Sequence, residues 1–431
     1  MENRPGKSFR RFIILWAGDF YANIASGLTA FALGIYMFKM TGTATSVALT
    51  TLFAFLPGML LNPLAGVLAD RFDRRLMMII GDGGFALGLV YILLCMMTGH
   101  ISAWQVYLGV GISSVFSALL DPAYKATITD LLTKEQFAKA SGLVQMAGSA
   151  KFLLSPLIAG FLLTITDIRM ILIIDISTIV ITTPITLFIK KWLGHNENEQ
   201  EKQGFWKEFV EGWQTVSSNK GLLLMILLIS VVTFYIGFLQ TLYTPMVLSI
   251  TDAKTLGIIE SVSAVGMLVS SLLLGVLTIT RKYVRQLVIG LVFAGIFIAL
   301  LGFTANVFII TVSGFLFFAA LPFVNTSADV LARSNIPDEK QGRAWGLIGI
   351  LSQFGFVIAY AVSGVLADRV FNPLLRSNGA LAATVGRIIG VGDGRGIGLL
   401  LIISGILLVA MAVMMGKIRS IQALEGALHH E

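Results

Sequence analysis

Long apolar runs alternate along the chain with short clusters of charged and turn-forming residues. The runs fall at 12–38, 46–69, 76–97, 104–128, 142–164, 169–189, 221–248, 256–279, 287–304, 307–331, 343–368 and 397–416. Each is long enough to cross about 30 Å of hydrocarbon as a helix. In lipid the backbone must satisfy its own hydrogen bonds, so an α-helix is the expected form of every run. The pattern predicts an all-α membrane protein with twelve transmembrane helices and both termini on one face. The first run mimics a signal peptide, with Arg10 and Arg11 before it and Ala30-Phe31-Ala32 resembling a cleavage site. It is too long for a signal core and is read as the first span, retained.

Composition removes the competing classes. Of 431 residues, 56% are apolar and 13% charged, about half the charge of a soluble domain. Such a chain cannot wet a globular surface, and its hydrophobicity excludes disorder. The net charge of +7 does not point to nucleic acid, because the cations are sorted by face. With this topology, 23 of the 31 Lys and Arg lie on the face carrying the termini, seven lie on the other, and Lys151 is inside a span. That bias predicts a multi-pass plasma-membrane protein with cytoplasmic termini. Cys95 is the single cysteine and the histidines are His100, His195, His429 and His430. No metal cluster, cofactor site or Ser/His/Asp set is expected from these, so the chain is not read as an enzyme.

The chain divides into residues 1–189, a linker at 190–220, and residues 221–431. In the linker, Phe205, Phe209, Trp213 and Val216 recur at helical spacing, which predicts a helix that lies in the membrane interface or packs on the ends of the spans. Gly66-Val67-Leu68 closes span two and Gly275-Val276-Leu277 closes span eight. Pro122 answers Pro322, and Lys139-Ala140-Ser141-Gly142-Leu143 answers Arg343-Ala344-Trp345-Gly346-Leu347. The near-constant offset argues for two pseudo-symmetric six-helix bundles. Gly364-Val365-Leu366-Ala367-Asp368-Arg369 repeats residues 66–71 letter for letter at the opposite face, as nested inverted repeats would. The connection 369–396, with glycines at 390, 392, 394 and 396 plus Arg387 and Arg395, is read as a flexible loop rather than an anion nest.

These motifs resemble the major facilitator superfamily over the whole chain. Gly66-Val67-Leu68-Ala69-Asp70-Arg71-Phe72-Asp73-Arg74-Arg75 is similar to the family signature between spans two and three, with Asp73 where the family has glycine. Thr129-Asp130-Leu131 is similar to the family's end of span four, and Pro337-Asp338-Glu339-Lys340-Gln341-Gly342-Arg343-Ala344 to its second-half counterpart. Ser155-Pro156-Leu157-Ile158-Ala159-Gly160 resembles the span-five element of drug antiporters, and the overall pattern is nearest the macrolide-efflux and siderophore-exporter branch. The span-four arginine of many proton-coupled exporters is missing, since Arg169 is the next Arg after Arg75. The resemblance implies the major facilitator fold. Independently, Arg71, Arg74 and Arg75 are placed to pair with Asp130, and with Asp70 they form a candidate latch between the halves that breaks in one state.

Ionisable groups inside spans are functional candidates by default. Asp19, Asp82 and Lys151 lie about 9–13 Å from the termini face at 1.5 Å per residue. Asp121, Lys125 and Asp175 join them as coupling or cavity candidates, whereas Glu260, close to the start of span eight, is expected on a solvated face. Polar residues recur on one face of span one (Asp19, Asn23, Ser26), span four (Ser114, Ser117, Asp121, Lys125), span six (Asp175, Thr178, Thr182, Thr186) and span seven (Thr233, Gly237, Gln240, Thr244). The reading is a monomeric secondary transporter, a proton-coupled exporter of small, largely apolar drug-like molecules by alternating access. A siderophore or metabolite exporter, an uncoupled permease, and a membrane sensor or scaffold are the alternatives.

Overall fold

A computed structural model describes residues 8–193, 205–276, 282–337 and 340–425. Among the described residues, twelve helices are long and apolar enough to cross a membrane. They run Phe9–Thr41, Ala44–Gly66, Arg74–Met97, Ala103–Leu131, Lys134–Ile165, Ile168–Lys191, Lys220–Leu248, Ala253–Val276, Tyr283–Phe303, Val307–Ser334, Ala344–Leu374 and Arg395–Lys417, here spans one to twelve. No strand occurs among the described residues. His195, His429, His430 and the acidic stretch 196–202 lie outside them.

Two spans are each built from two segments, and proline explains where. Span four divides into Ala103–Ser117 and Leu120–Leu131. The ring of Pro122 clashes with the carbonyl four residues back, at Ala118, and leaves it without a donor. Span five divides into Phe137–Leu153 and Ser155–Ile165, with Pro156 in the first turn of the second segment, where its missing N–H costs nothing.

The helices cluster into two compact units. One comprises Met1–Gly42 and Leu49–Glu201; the other comprises Thr43–Ala48 and Lys202–Glu431. At the termini-face end of the first unit, Phe12, Leu15, Met77, Met78, Leu131, Leu132 and Ile189 form an apolar core. In the second unit spans nine and twelve meet through glycine. A Cβ on Gly302 would come within 2.1 Å of the Gly398 carbonyl oxygen, and one on Gly405 within 2.4 Å of that of Gly295. Close backbone approach of this kind is how apolar helices associate without a hydrophobic driving force.

The linker forms the helix Phe205–Ser218, which packs against spans seven and eleven. Val216 is fully buried there, while Val210 and Trp213 are exposed on its surface. Of the two placements read from the sequence, packing on the span ends is therefore realised, with an apolar edge left facing outward.

The connection 369–396 differs from the flexible loop expected. It folds into ordered turns, with the Leu381 amide donating to Leu374 O at 3.0 Å and that of Gly392 to Leu375 O at 2.9 Å. Gly390, Gly392 and Gly394 have φ of 94°, 121° and 78°, which side chains rarely tolerate. Arg395 is buried and donates to the carbonyls of Ile389 and Thr304. Its charge serves backbone carbonyls, not an anion.

Candidate functional site: buried charges of the first unit and the polar ends of the spans

The loop between spans two and three owes its shape to Asp73. Its φ of −58° suits any residue, and its carboxylate accepts from the amides of Arg75 at 2.9 Å and Leu76 at 3.3 Å, capping span three. The departure from the family's glycine is thus a change of cap, not of turn. Burial pushes the Asp73 carboxyl up, but those two amides, Lys190 at 3.4 Å and Arg75 outweigh it and hold it below its ordinary value.

Arg74 pairs with Asp130 at 2.8 Å and also donates to Ala126 O, while Arg75, almost wholly buried, reaches the other oxygen of Asp130 at 3.6 Å. All three residues belong to the first unit. The pairing anticipated among these residues is present, and it fastens span three to span four. The side chains of Asp70 and Arg71 lie outside the described residues. Gly66 is open, since a Cβ there would meet nothing within 4 Å.

Deeper in the first unit, spans one, three, five and six bring Asp19, Asp82, Lys151 and Asp175 together. Asp19 neighbours Tyr124, Asn23, Asp82 and Asp121, and Asn23 donates its amide to Asp19 O at 2.9 Å. Asp82 lies beside Thr182. Lys151 sits within electrostatic reach of Asp175 and Asp19. A Cβ on Gly27 would come 3.0 Å from the Lys151 stem and 2.3 Å from the Ser155 hydroxyl, so span one must be bare there for span five to approach. Ser155 donates to Ile24 O at 2.9 Å, and Pro156 and Gly160 are buried beside this seam.

Asp175 is 2% exposed and neither carboxylate oxygen has a hydrogen-bond partner. The neighbouring Thr29 hydroxyl is likewise buried and unsatisfied. An acid so placed is costly unless paired or protonated, and Lys151 is the cation at hand. Thr178, Thr182 and Thr186 on the same stripe of span six are buried too. That stripe faces the interior of its own unit, which explains why its pattern rivalled that of the cavity-lining candidates.

Asp121 and Lys125 both lie on the Leu120–Leu131 segment of span four. They pair with each other at 2.7 Å, one helical turn apart, and their side chains are 60% and 66% exposed. They form an exposed pair, and Asp121 lies within electrostatic reach of Asp19. Ser114, from the same stripe, is buried and donates to Ala54 O, binding span four to span two.

In the second unit, Gln240 is exposed and accepts a hydrogen bond from the Tyr360 hydroxyl. Thr233 donates to Ser352 O at 2.7 Å, and the Thr241 and Ser363 hydroxyls meet at 2.8 Å, so much of the polar stripe of span seven serves its contact with span eleven. Glu260, expected on a solvated face, is half-buried next to Thr244 and Tyr243, whose hydroxyl has no partner. Distance from a loop along the sequence did not reveal that span seven covers it.

Asp368 also has a role that its sequence position did not reveal. Its carboxylate accepts from the amides of Ala44 at 3.0 Å and Thr45 at 2.8 Å and from the Thr45 hydroxyl at 2.6 Å. The available signal was the repeated hexapeptide. Among the described residues no group of three or more His, Cys, Asp or Glu is arranged to hold a metal ion.

Comparison with known proteins places this geometry. The chain is 27% identical over 373 residues to macrolide efflux protein A of Streptococcus pyogenes, covering 84% of this chain and 90% of that one. It is 26% identical over 320 residues to the macrolide efflux protein A of Enterococcus faecalis, covering 72% and 97%. The solved nucleoside transporter NupG superposes with a TM-score of 0.75 at 15% identity, covering 95% of this chain and all of that one. The profile of the Major Facilitator Superfamily matches residues 15–359. This multi-pass helical protein, a membrane transporter and not an enzyme, belongs to the Major Facilitator Superfamily.

Proposed function

We propose that the chain is a proton-coupled exporter of small, largely apolar molecules of the macrolide type, working as a monomer by alternating access with its termini in the cytoplasm. The observation that carries the coupling is Asp175, buried with both oxygens unpartnered beside Lys151. A carboxylate in low dielectric takes up a proton readily, and a nearby ammonium favours its release. Asp19 and Asp82, half-buried in the same unit, extend the set of exchangeable acids. Movement of Lys151 between Asp175 and Asp19 would load one acid as it discharges the other. The likeness to macrolide efflux proteins supports the substrate class and the direction. The excess of Lys and Arg on the termini face supports the orientation.

The test is proton flux into proteoliposomes holding the purified protein and an interior pH dye, with a macrolide added against an imposed gradient. Macrolide-dependent proton movement that disappears in Asp175→Asn and Asp19→Asn is expected. Macrolide movement with no accompanying protons would overturn the coupling.

A further inference from the structure

The hexapeptide Gly-Val-Leu-Ala-Asp-Arg occurs at 66–71 and again at 364–369, and the two copies stand in opposite conditions. At the first, Gly66 has no neighbour where a Cβ would project. At the second, a Cβ on Gly364 would fall 2.3 Å from Thr45 Cα and 2.7 Å from Thr45 N, so the backbones touch and only glycine fits. Four residues on, Asp368 takes both leading amides of span two and the Thr45 hydroxyl. These amides have no partner within their own helix, and a carboxylate complements the positive helix end. Asp368 lies in a single π-helical turn, Ala367–Phe371, set within span eleven. Such turns are rare within α-helices and are frequent at functional sites. Thr43–Ala48 accordingly cluster with the second unit, whereas the rest of span two clusters with the first.

We propose that Asp368 is a positioning residue for transport, a clamp that fastens the start of span two to span eleven at the face away from the termini and releases once per cycle. This rests on the alternating-access reading above. The same six residues recur at the opposite face, where Gly66 has open space beside it, and that segment is expected to tighten when the Asp368 clamp opens. Glu425 makes a chemically similar bond, accepting from the Val284 amide at 2.7 Å at the start of span nine, but it has no counterpart in the repeat and serves as a static control.

The experiment is amide hydrogen exchange, read by mass spectrometry, on the full-length protein in lipid nanodiscs. In Asp368→Asn, residues 43–48 are expected to exchange about tenfold faster than in the wild type. Residues 66–76, at the opposite face, are expected to exchange more slowly. Asp368→Glu restores part of the protection, and Thr45→Val, which removes only the hydroxyl bond, gives a smaller change of the same sign. Glu425→Gln accelerates exchange near Val284 alone. A merely structural cap would loosen 43–48 without protecting 66–76; that result, or unchanged exchange in both segments, overturns the proposal. Should Asp368→Asn fail to fold, Asp368→Glu and Thr45→Val decide it by the same two segments. Macrolide flux in proteoliposomes is measured on the same samples. Reciprocal exchange without wild-type flux sinks the transport reading and leaves the clamp standing; flux without reciprocal exchange does the opposite.

Discussion

Arg74 donates to Asp130 at 2.8 Å, and both residues lie in one compact unit. The pair is only about one-fifth exposed, and Arg75 behind it is nearly sealed from solvent. Removing Asp130 leaves a buried guanidinium without its carboxylate, whereas the Asp121–Lys125 pair stands in solvent-accessible surface. Asp130→Ala is expected to lower the thermal midpoint clearly. Asp121→Ala should stay within the ~0–1 kcal/mol range of exposed pairs. A fluorescence melt of the two variants in one detergent checks the order.

Asp73 caps span three through two amides. Asp73→Ala should cost about 1 kcal/mol, while Asp73→Gly should cost only a few tenths. Because its carboxyl is held below the ordinary value, the ionised cap contributes its full stability above the unfolded-state value of about 3.9. That contribution is lost as pH falls through the lower folded-state value. Melting curves of wild type and Asp73→Asn should therefore converge on acidification, and a constant gap between them contradicts the cap.

The two hexapeptide glycines predict opposite tolerance. Gly364→Ala drives a methyl into the Thr45 backbone at 2.3 Å and should destabilise by about 1–3 kcal/mol as overpacking does. Gly66→Ala meets nothing within 4 Å and should melt close to the wild type. Comparable losses in both variants would contradict this difference.

Asp175 separates stability from function. Its oxygens lack hydrogen-bond partners in a buried site, and a buried charge without such partners is costly to keep, so a neutral amide of the same shape relieves that cost. Asp175→Asn should melt at or above the wild-type temperature and yet lose proton-linked macrolide movement. A variant that melts higher and still couples would return Asp175 to a packing role.

All twelve spans were legible because a run of apolar residues has no other stable form in lipid. The divisions of spans four and five were not read, although Pro122 and Pro156 mark them, because prolines such as Pro184 and Pro322 lie inside unbroken helices. Burial was less legible, because it depends on which helix lies opposite. Asp121, Asp175 and Glu260 look alike along the chain, yet one is in exposed surface, one is sealed inside the first unit, and one is covered by span seven. Polar periodicity identified a face of span six without revealing that other helices cover it. The pairing of Arg74 with Asp130 was readable from charge and position, and so was its place within residues 1–189.

The glycine contacts between spans nine and twelve bear on mutational tolerance. Gly295, Gly302, Gly398 and Gly405 leave no room for even a methyl, whereas Gly142, Gly148, Gly346 and Gly349 project into open space. A saturation library selected for function should lose all variation at the first four and keep alanine at the others. Spans nine and twelve would then behave as one double-walled strut, too closely seated to shear. Variation would be kept instead on spans one, two, five, eight and eleven, where Gly34, Gly66, Gly142, Gly275 and Gly346 face open space.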